Sequence, residues 1–296
     1  MCLDTIIEGT GRDIRLNQLY HPHGIYVDND DSDQIIYIAD YHNHRIVKWN
    51  RNTNEKQVVA GGNEKGNGMD QLSHPTDIIV DKEHDSLIIC DCGNKRVVQW
   101  PRVNGKNGQI IISEVCCIGL TMDNNGNLYV SDSSKHEVKR WKIGDTHGTI
   151  VAGGNGQGHD LNQLSFPSFI FVDQDHSVYV SDCSNHRVMK WMKDAKEGIV
   201  VAGGQGQGNS LRQLSNPEGI VVDHVGDVYV ADSKNDRIMY WSKGCEQGSI
   251  IVGSSENEAR SDQLRRPKGL SFDREGDLYV ADSANHRIEK FYPKRN

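Results

Sequence analysis

No apolar run in the 296-residue chain approaches the ~18 residues a membrane-spanning helix needs, so such a helix is excluded. The first residues, Met1-Cys2-Leu3-Asp4-Thr5, lack the basic start and long apolar core of a secretory signal. A cytoplasmic protein, or a domain cut from a larger one, is the expectation. Positive charge is short: 33 Lys and Arg face 41 Asp and Glu, and the net charge of −8 opposes broad binding to a phosphate backbone. Cysteine is sparse and odd in number, at Cys2, Cys90, Cys92, Cys116, Cys117, Cys183 and Cys245. A secreted disulfide framework is denser and more regular, so reduced thiols are expected. One disulfide or redox site near Cys90/Cys92 and Cys116/Cys117 is the alternative. No second pair or histidine stands at zinc-site spacing, which speaks against structural zinc. The glycine pairs Gly61-Gly62, Gly153-Gly154 and Gly203-Gly204 are not followed by G-K-[ST], so they are not phosphate cradles. Helical periodicity is missing throughout. No Ser-His-Asp order, paired-carboxylate motif or nucleotide fingerprint stands out, and neither a cofactor nor a metal is expected.

What the chain does have is one hairpin written six times. Val228-Tyr229-Val230-Ala231 is β-branched and aromatic, as strands prefer. Asp232 to Asn235 supplies turn chemistry, and Arg237 to Trp241 returns. The turn aspartates Asp40, Asp91, Asp132, Asp182, Asp232 and Asp282 follow at intervals of 51, 41, 50, 50 and 50 residues. A fixed period of this length signals a propeller or array, because one unit cannot bury its own apolar face. Each repeat adds an inner strand, such as Ile220-Val221-Val222, and a fourth strand, such as Ser249 to Val252, with links short enough for antiparallel neighbours. Thr5-Ile6-Ile7-Glu8-Gly9 matches the fourth-strand pattern Thr149 to Gly153, while the last repeat stops after its third strand. The prediction is therefore a single all-β domain over 1–296. It is a six-bladed propeller of four-stranded antiparallel blades, closed by the N-terminal strand completing the last blade.

Repetition separates scaffold from site. Trp49, Trp100, Trp141, Trp191 and Trp241, with Phe291 in sixth place, recur as packing. Arg45, Arg96, Arg187, Arg237 and Arg287 recur with the turn aspartates, as do Asp28, Asp81, Asp123, Asp173, Asp223 and Asp273, and read as turn caps and hydrogen-bond ties. P-x-G-I-x-V-D, L-Y-V-x-D and N-H-R-[IV]-x-K-W together resemble the NHL repeat, whose name motif Asn43-His44-Arg45, Asn185-His186-Arg187 and Asn285-His286-Arg287 spell out. The resemblance spans nearly the whole chain and implies the propeller fold. It leaves function open among RNA-binding and protein-binding modules, sensor domains and a peptide-amidating lyase.

Function is sought where the repeats differ. The residue after each inner-strand proline is expected to ring the channel mouth: His23, Thr76, Ser168, Glu218 and Lys268, with Ile118 by alignment. This polar, asymmetric ring, with His42 beside it, is the candidate binding site. His23 stands in a P-H-G arrangement similar to that of the lyase, but Ile118 occupies a position where that pattern wants histidine, so a three-histidine zinc set is not visible. His44 and His186 read as surface turn residues. The third repeat is the outlier: its interval is 41, its glycine-leucine loop is missing and Glu137 replaces the arginine, which leaves a notch or simple decay. Asp28-Asn29-Asp30-Asp31-Ser32-Asp33 lacks the glycine and closing glutamate of a calcium loop and reads as a solvated turn. Three functions remain: a monomeric, non-enzymatic scaffold for a protein or peptide, a metal-dependent lyase or hydrolase, and an RNA-binding module. The last would draw on Arg12, Arg15, Lys65, Arg212, Arg260, Arg265, Arg266 and Lys268, countered by Asp13, Glu64, Glu256, Glu258 and Asp262. No RING, B-box or coiled coil is present, so ligase activity does not reside in this sequence.

Overall fold

Alternation along the second strand of a blade sets the packing. In Ile35 to Asp40 every residue is buried: Ile35, Tyr37 and Ala39 pack toward one neighbouring blade, and Ile36 and Ile38 toward the other. A strand buried on both faces can exist only inside a stack of sheets, and the computed structural model shows that stack. It describes residues 2–7, 18–29, 34–253 and 263–292. Every sheet has four antiparallel strands, and the chain is an all-β six-bladed propeller.

The chain divides into two compact units, Met1–Cys117 with Lys268–Asn296, and Ile118–Pro267. The first unit holds three blades. Blade six combines β1 (Cys2–Ile7) with β22 (Pro267–Phe272), β23 (Leu278–Asp282) and β24 (Arg287–Tyr292). Blade one is β2 (Pro22–Asp28), β3 (Ile35–Asp40), β4 (Arg45–Asn50) and β5 (Glu55–Gly61). Blade two is β6 (Pro75–Asp81), β7 (Ser86–Asp91), β8 (Arg96–Pro101) and β9 (Gln109–Ser113). The second unit holds blade three, β10 (Cys117–Met122), β11 (Asn127–Asp132), β12 (Glu137–Lys142) and β13 (Thr149–Gly153). It also holds blade four, β14 (Pro167–Val172), β15 (Val178–Asp182), β16 (Arg187–Trp191) and β17 (Ile199–Gly203). Blade five is β18 (Pro217–Val222), β19 (Val228–Asp232), β20 (Arg237–Trp241) and β21 (Ser249–Val252). As expected, β1 pairs antiparallel with β24, Leu3 opposite Phe291 and Ile7 opposite Ile288. Glu8 and Gly9, also assigned to that strand, lie outside the described residues, as do Asp30 to Asp33 of the acidic turn.

The recurring residues have definite tasks. Arg187 Nε donates to Asp182 Oδ2 at 2.7 Å, while its Nη atoms donate to the carbonyls of His159, Asp160 and Gln163 in the loop that precedes blade four. Arg96 and Arg237 grip the loops before blades two and five in the same way. The other oxygen of the aspartate takes a backbone N–H, as Asp182 Oδ1 does from Ser165 at 2.7 Å. Arg96, Arg187 and Arg237 thus each clamp the long loop leading into their own blade. This explains the third repeat. Only Glu114, Val115 and Cys116 separate β9 from β10, so there is no loop to grip, and Glu137 stands where the arginine would be. The tryptophans close the outer side: a Cβ on Gly198 would lie 2.8 Å from the Trp191 ring, and one on Gly248 2.7 Å from Trp241, so only glycine fits there.

The cysteines depart from the reduced state expected above. Cys90 and Cys117, both fully buried, form a disulfide with Cα atoms 5.5 Å apart. That separation lies in the middle of the range the bond requires. Cys92, Cys116, Cys183 and Cys245 are free thiols.

Candidate functional site: a cluster of histidine and tyrosine rings

In blades one, two, four and five the proline that starts the inner strand faces the aspartate that ends the second, as Pro22 faces Asp40 and Pro75 faces Asp91. The residue before the proline and the short 3-10 turn after the aspartate therefore share one edge. In the first unit that edge is filled with rings. Tyr20 and His21 precede Pro22, His74 precedes Pro75, Tyr41-His42-Asn43 is the 3-10 turn of blade one with His44 capping it, and His286 caps the turn of blade six.

The rings are in continuous contact. His21 meets His286 edge-on at 4.4 Å between centroids and His42 at 5.0 Å. Tyr20 lies 5.0 Å from His42 and 5.1 Å from His286. Tyr41 contacts His42 and His74, each at 4.8 Å, and stacks on His23 at 5.1 Å with 24° between the planes. His44 completes the chain against His74 at 4.5 Å. All eight rings are half-buried. Equivalent positions in blades four and five carry Cys183 and Ser184, or Ser233 and Lys234, so the cluster breaks the repeat.

Part of this arrangement is scaffold. His286 Nδ1 accepts the N–H of His21 at 3.1 Å, and His44 Nδ1 accepts that of His74 at 3.2 Å. The same bond recurs in the second unit from Phe166 to His136, from Asn216 to His186 and, with a carboxylate as acceptor, from Arg266 to Asp236. The histidine of the N-H-R motif is thus a staple to the next blade rather than a simple surface turn residue. Both partners stand in the left-handed region, with φ of 55° at His186 and 51° at Asn216.

The electrostatics favour the neutral form of four of the rings. Burial, then Lys268, holds the His23 imidazole well below the usual histidine range, although a backbone hydrogen bond with Thr76 acts the other way. Burial, then Lys65, lowers His74, and burial, then His42, lowers His286. Burial, then Cys92, raises the Tyr41 phenol. His23, His74, His286 and Tyr41 therefore favour their uncharged forms, beside Lys65 and Lys268.

The expected mouth residues divide. His23, Thr76 and Lys268 fall in the first unit, and His42 lies within the cluster. Ile118, Ser168 and Glu218 fall in the second. Thr76 is buried and its hydroxyl donates to the Cys117 carbonyl at 3.1 Å. Ser168 is buried too, donating to the Pro217 carbonyl at 3.2 Å, and Glu218 is buried with its carbonyl accepting from Ser181 at 2.6 Å. The Thr76 and Ser168 hydroxyls tie neighbouring inner strands together. Ile118 is half-buried. Tyr20, Tyr41, His74 and His286 were missed by sequence reasoning. The available signal was Tyr41, an aromatic directly after the turn aspartate where other blades carry cysteine or serine. Arg12, Arg15 and Arg260, and the acidic Asp13, Glu256, Glu258 and Asp262, lie outside the described residues.

Among the described residues, the one group of three ligand-bearing side chains converging within 4.8 Å is Asp273, Glu275 and Asp277, away from the rings. Lys290 already sits there, 2.9 Å from Asp273 and 2.7 Å from Asp277.

The family model for the NHL repeat matches residues 19–49 and 264–291. Among solved structures, an auxiliary nutrient binding protein from Bacteroides thetaiotaomicron is similar over 97% of this chain and 75% of its own, at 17% identity and a TM-score of 0.75. A catalytically inactive virginiamycin B lyase from Staphylococcus aureus with quinupristin is similar over 98% of each chain, at 12% identity and a TM-score of 0.60. A propeller of the nidogen/laminin complex is similar over 78% of this chain and 80% of its own, at 16% identity and a TM-score of 0.62. Likeness at these identities shows the fold alone.

Proposed function

We propose that this NHL-repeat six-bladed propeller is a binding module rather than an enzyme, and that it takes a protein or peptide segment on the ring cluster of blades six, one and two. The observation that carries the reading is the run of eight half-buried aromatic rings that, among the described residues, only this part of the repeat array possesses. Rigid amphipathic rings give contact area at low entropic cost, which is why tyrosine dominates evolved recognition surfaces. The flanking Lys65 and Lys268 favour a segment that carries acidic as well as aromatic side chains. The module is proposed to act as a monomer in the cytoplasm. No helix among the described residues is long and apolar enough to cross a membrane.

Panning a random peptide display library against the immobilised chain tests the reading. The expected result is enrichment of acidic, aromatic peptides that bind with micromolar affinity and lose at least tenfold on Tyr41→Ala or His42→Ala. Absence of enrichment, or peptides that bind both variants as well as the parent, would overturn it.

A further inference from the structure

Where blade two passes to blade three the chain has dropped its usual devices. The long loop is gone, Lys95 stands at the staple position and Glu137 at the clamp position. Sulfur takes their place. Cys90 at the end of β7 is bonded to Cys117 at the head of β10. The two free cysteines next along the chain, Cys92 and Cys116, both lie on the turn-face side of that bond, because β7 runs toward this face and β10 starts from it.

Lys95 holds the two together. Its N–H donates to the Cys92 carbonyl at 3.0 Å, and its carbonyl accepts the N–H of Val115, the neighbour of Cys116, at 3.1 Å. Both thiols are half-buried and therefore within reach of solvent. Cys183 occupies the turn position equivalent to Cys92, but its sulfur accepts the Asn216 amide at 3.4 Å and no cysteine precedes the following proline.

We infer that Cys92 and Cys116 form a reversible dithiol–disulfide pair, a modification site for low-molecular-weight disulfides of the glutathione type. The Cys116 thiolate attacks one sulfur of the small disulfide, whose S–S bond breaks and releases one thiolate. The Cys92 thiolate, its proton lost to solvent, then attacks the Cys116 sulfur of the mixed disulfide and expels the second thiolate. The two protein thiols lose two electrons, and the small disulfide is reduced to two thiols. Burial, then the neighbouring charges of Cys116 and Asp91, push the Cys92 thiol up to about 11. The second step therefore runs on a scarce thiolate near neutral pH and accelerates about tenfold per pH unit.

The test exposes the folded, full chain to glutathione disulfide, quenches with iodoacetamide and maps peptides by mass spectrometry. Cys92 and Cys116 should lose alkylation together and appear as one linked peptide pair, while Cys245 reacts on its own. A transient glutathione adduct on Cys116 should resolve about tenfold faster at pH 8 than at pH 7, and Cys92→Ser should leave that adduct in place. The assignment is overturned if the parent keeps the adduct as long as the variant does, if both thiols stay alkylatable, or if either is linked to Cys90 or Cys117 instead. The parent's own pH series gives a reading even if the variant folds poorly.

Discussion

Replacing His186 tests whether the histidine of the N-H-R motif is a hydrogen-bond acceptor or only fills a turn. Its Nδ1 accepts the Asn216 N–H at 3.2 Å, which requires a neutral ring with the proton on Nε2. Burial, then Lys234, hold its pKa below the ordinary value, with Asp232 and Asp182 opposing. The unfolded histidine titrates near ~6.5, so as pH falls below that value the unfolded chain binds the extra proton first and stability drops. The contribution is complete above ~6.5 and is lost as pH falls through the lower folded value. Its size is that of one net hydrogen bond, about 1 kcal/mol, kept toward the lower end because the ring is half-exposed. His186→Ala adds a pH-independent cost from the left-handed backbone at φ 55°, so the gap from the parent, rather than its absolute value, is the readout. In urea denaturation between pH 8 and pH 5, that gap should shrink steadily below ~6.5. His186→Asp copies Asp236, whose carboxylate accepts the Arg266 N–H at 2.7 Å, and should remove the His186 share of the pH dependence. A gap that is constant from pH 8 to pH 5, or an aspartate variant as pH-sensitive as the parent, would refute the acceptor role.

Arg187→Ala removes the grip on three loop carbonyls and strands the buried Asp182 carboxylate; a loss of about 3–5 kcal/mol is expected in urea denaturation, with faster proteolysis of residues 154–166. Gly198→Ala drives a methyl to 2.8 Å from the Trp191 ring and should cost about 1–3 kcal/mol, read as a lowered Tm. Reducing Cys90–Cys117, whose partners are 27 residues apart, should cost about 3–4 kcal/mol by loop-closure entropy, and a Tm unchanged by reductant would show that the bond does not hold the blades together.

The architecture was legible because it is repeated. Six copies of a strand-turn-strand signal, and a first strand matching the fourth-strand pattern, left one closed arrangement. The arginines were legible as ties but not as loop clamps, since their partners are carbonyls that every residue carries. The staple was hidden for the same reason: Nδ1 of His186 meets a backbone N–H thirty residues on, and no side-chain type marks it. The Cys90–Cys117 bond was expected only as an alternative, because the shortened third interval, which aligns β7 with β10, reads equally well as decay. The post-proline residues were expected to face the channel mouth, whereas the small Thr76 and Ser168 side chains bond neighbouring strands. Tyr20, His74 and His286 come from three blades and meet only after folding, so no local motif announces them.

The pairing of β1 with β24 has a consequence for how the molecule is made. β1 waits for its partner, since β24 follows it by 291 − 3 = 288 residues, as Leu3 opposite Phe291 requires. Until then blade six does not exist, and blade one carries the apolar flank of Ile36 and Ile38 with nothing against it. Nascent chains therefore carry a sticky open edge until β24 is made, and their yield in the cell should depend on whatever shields that edge during translation.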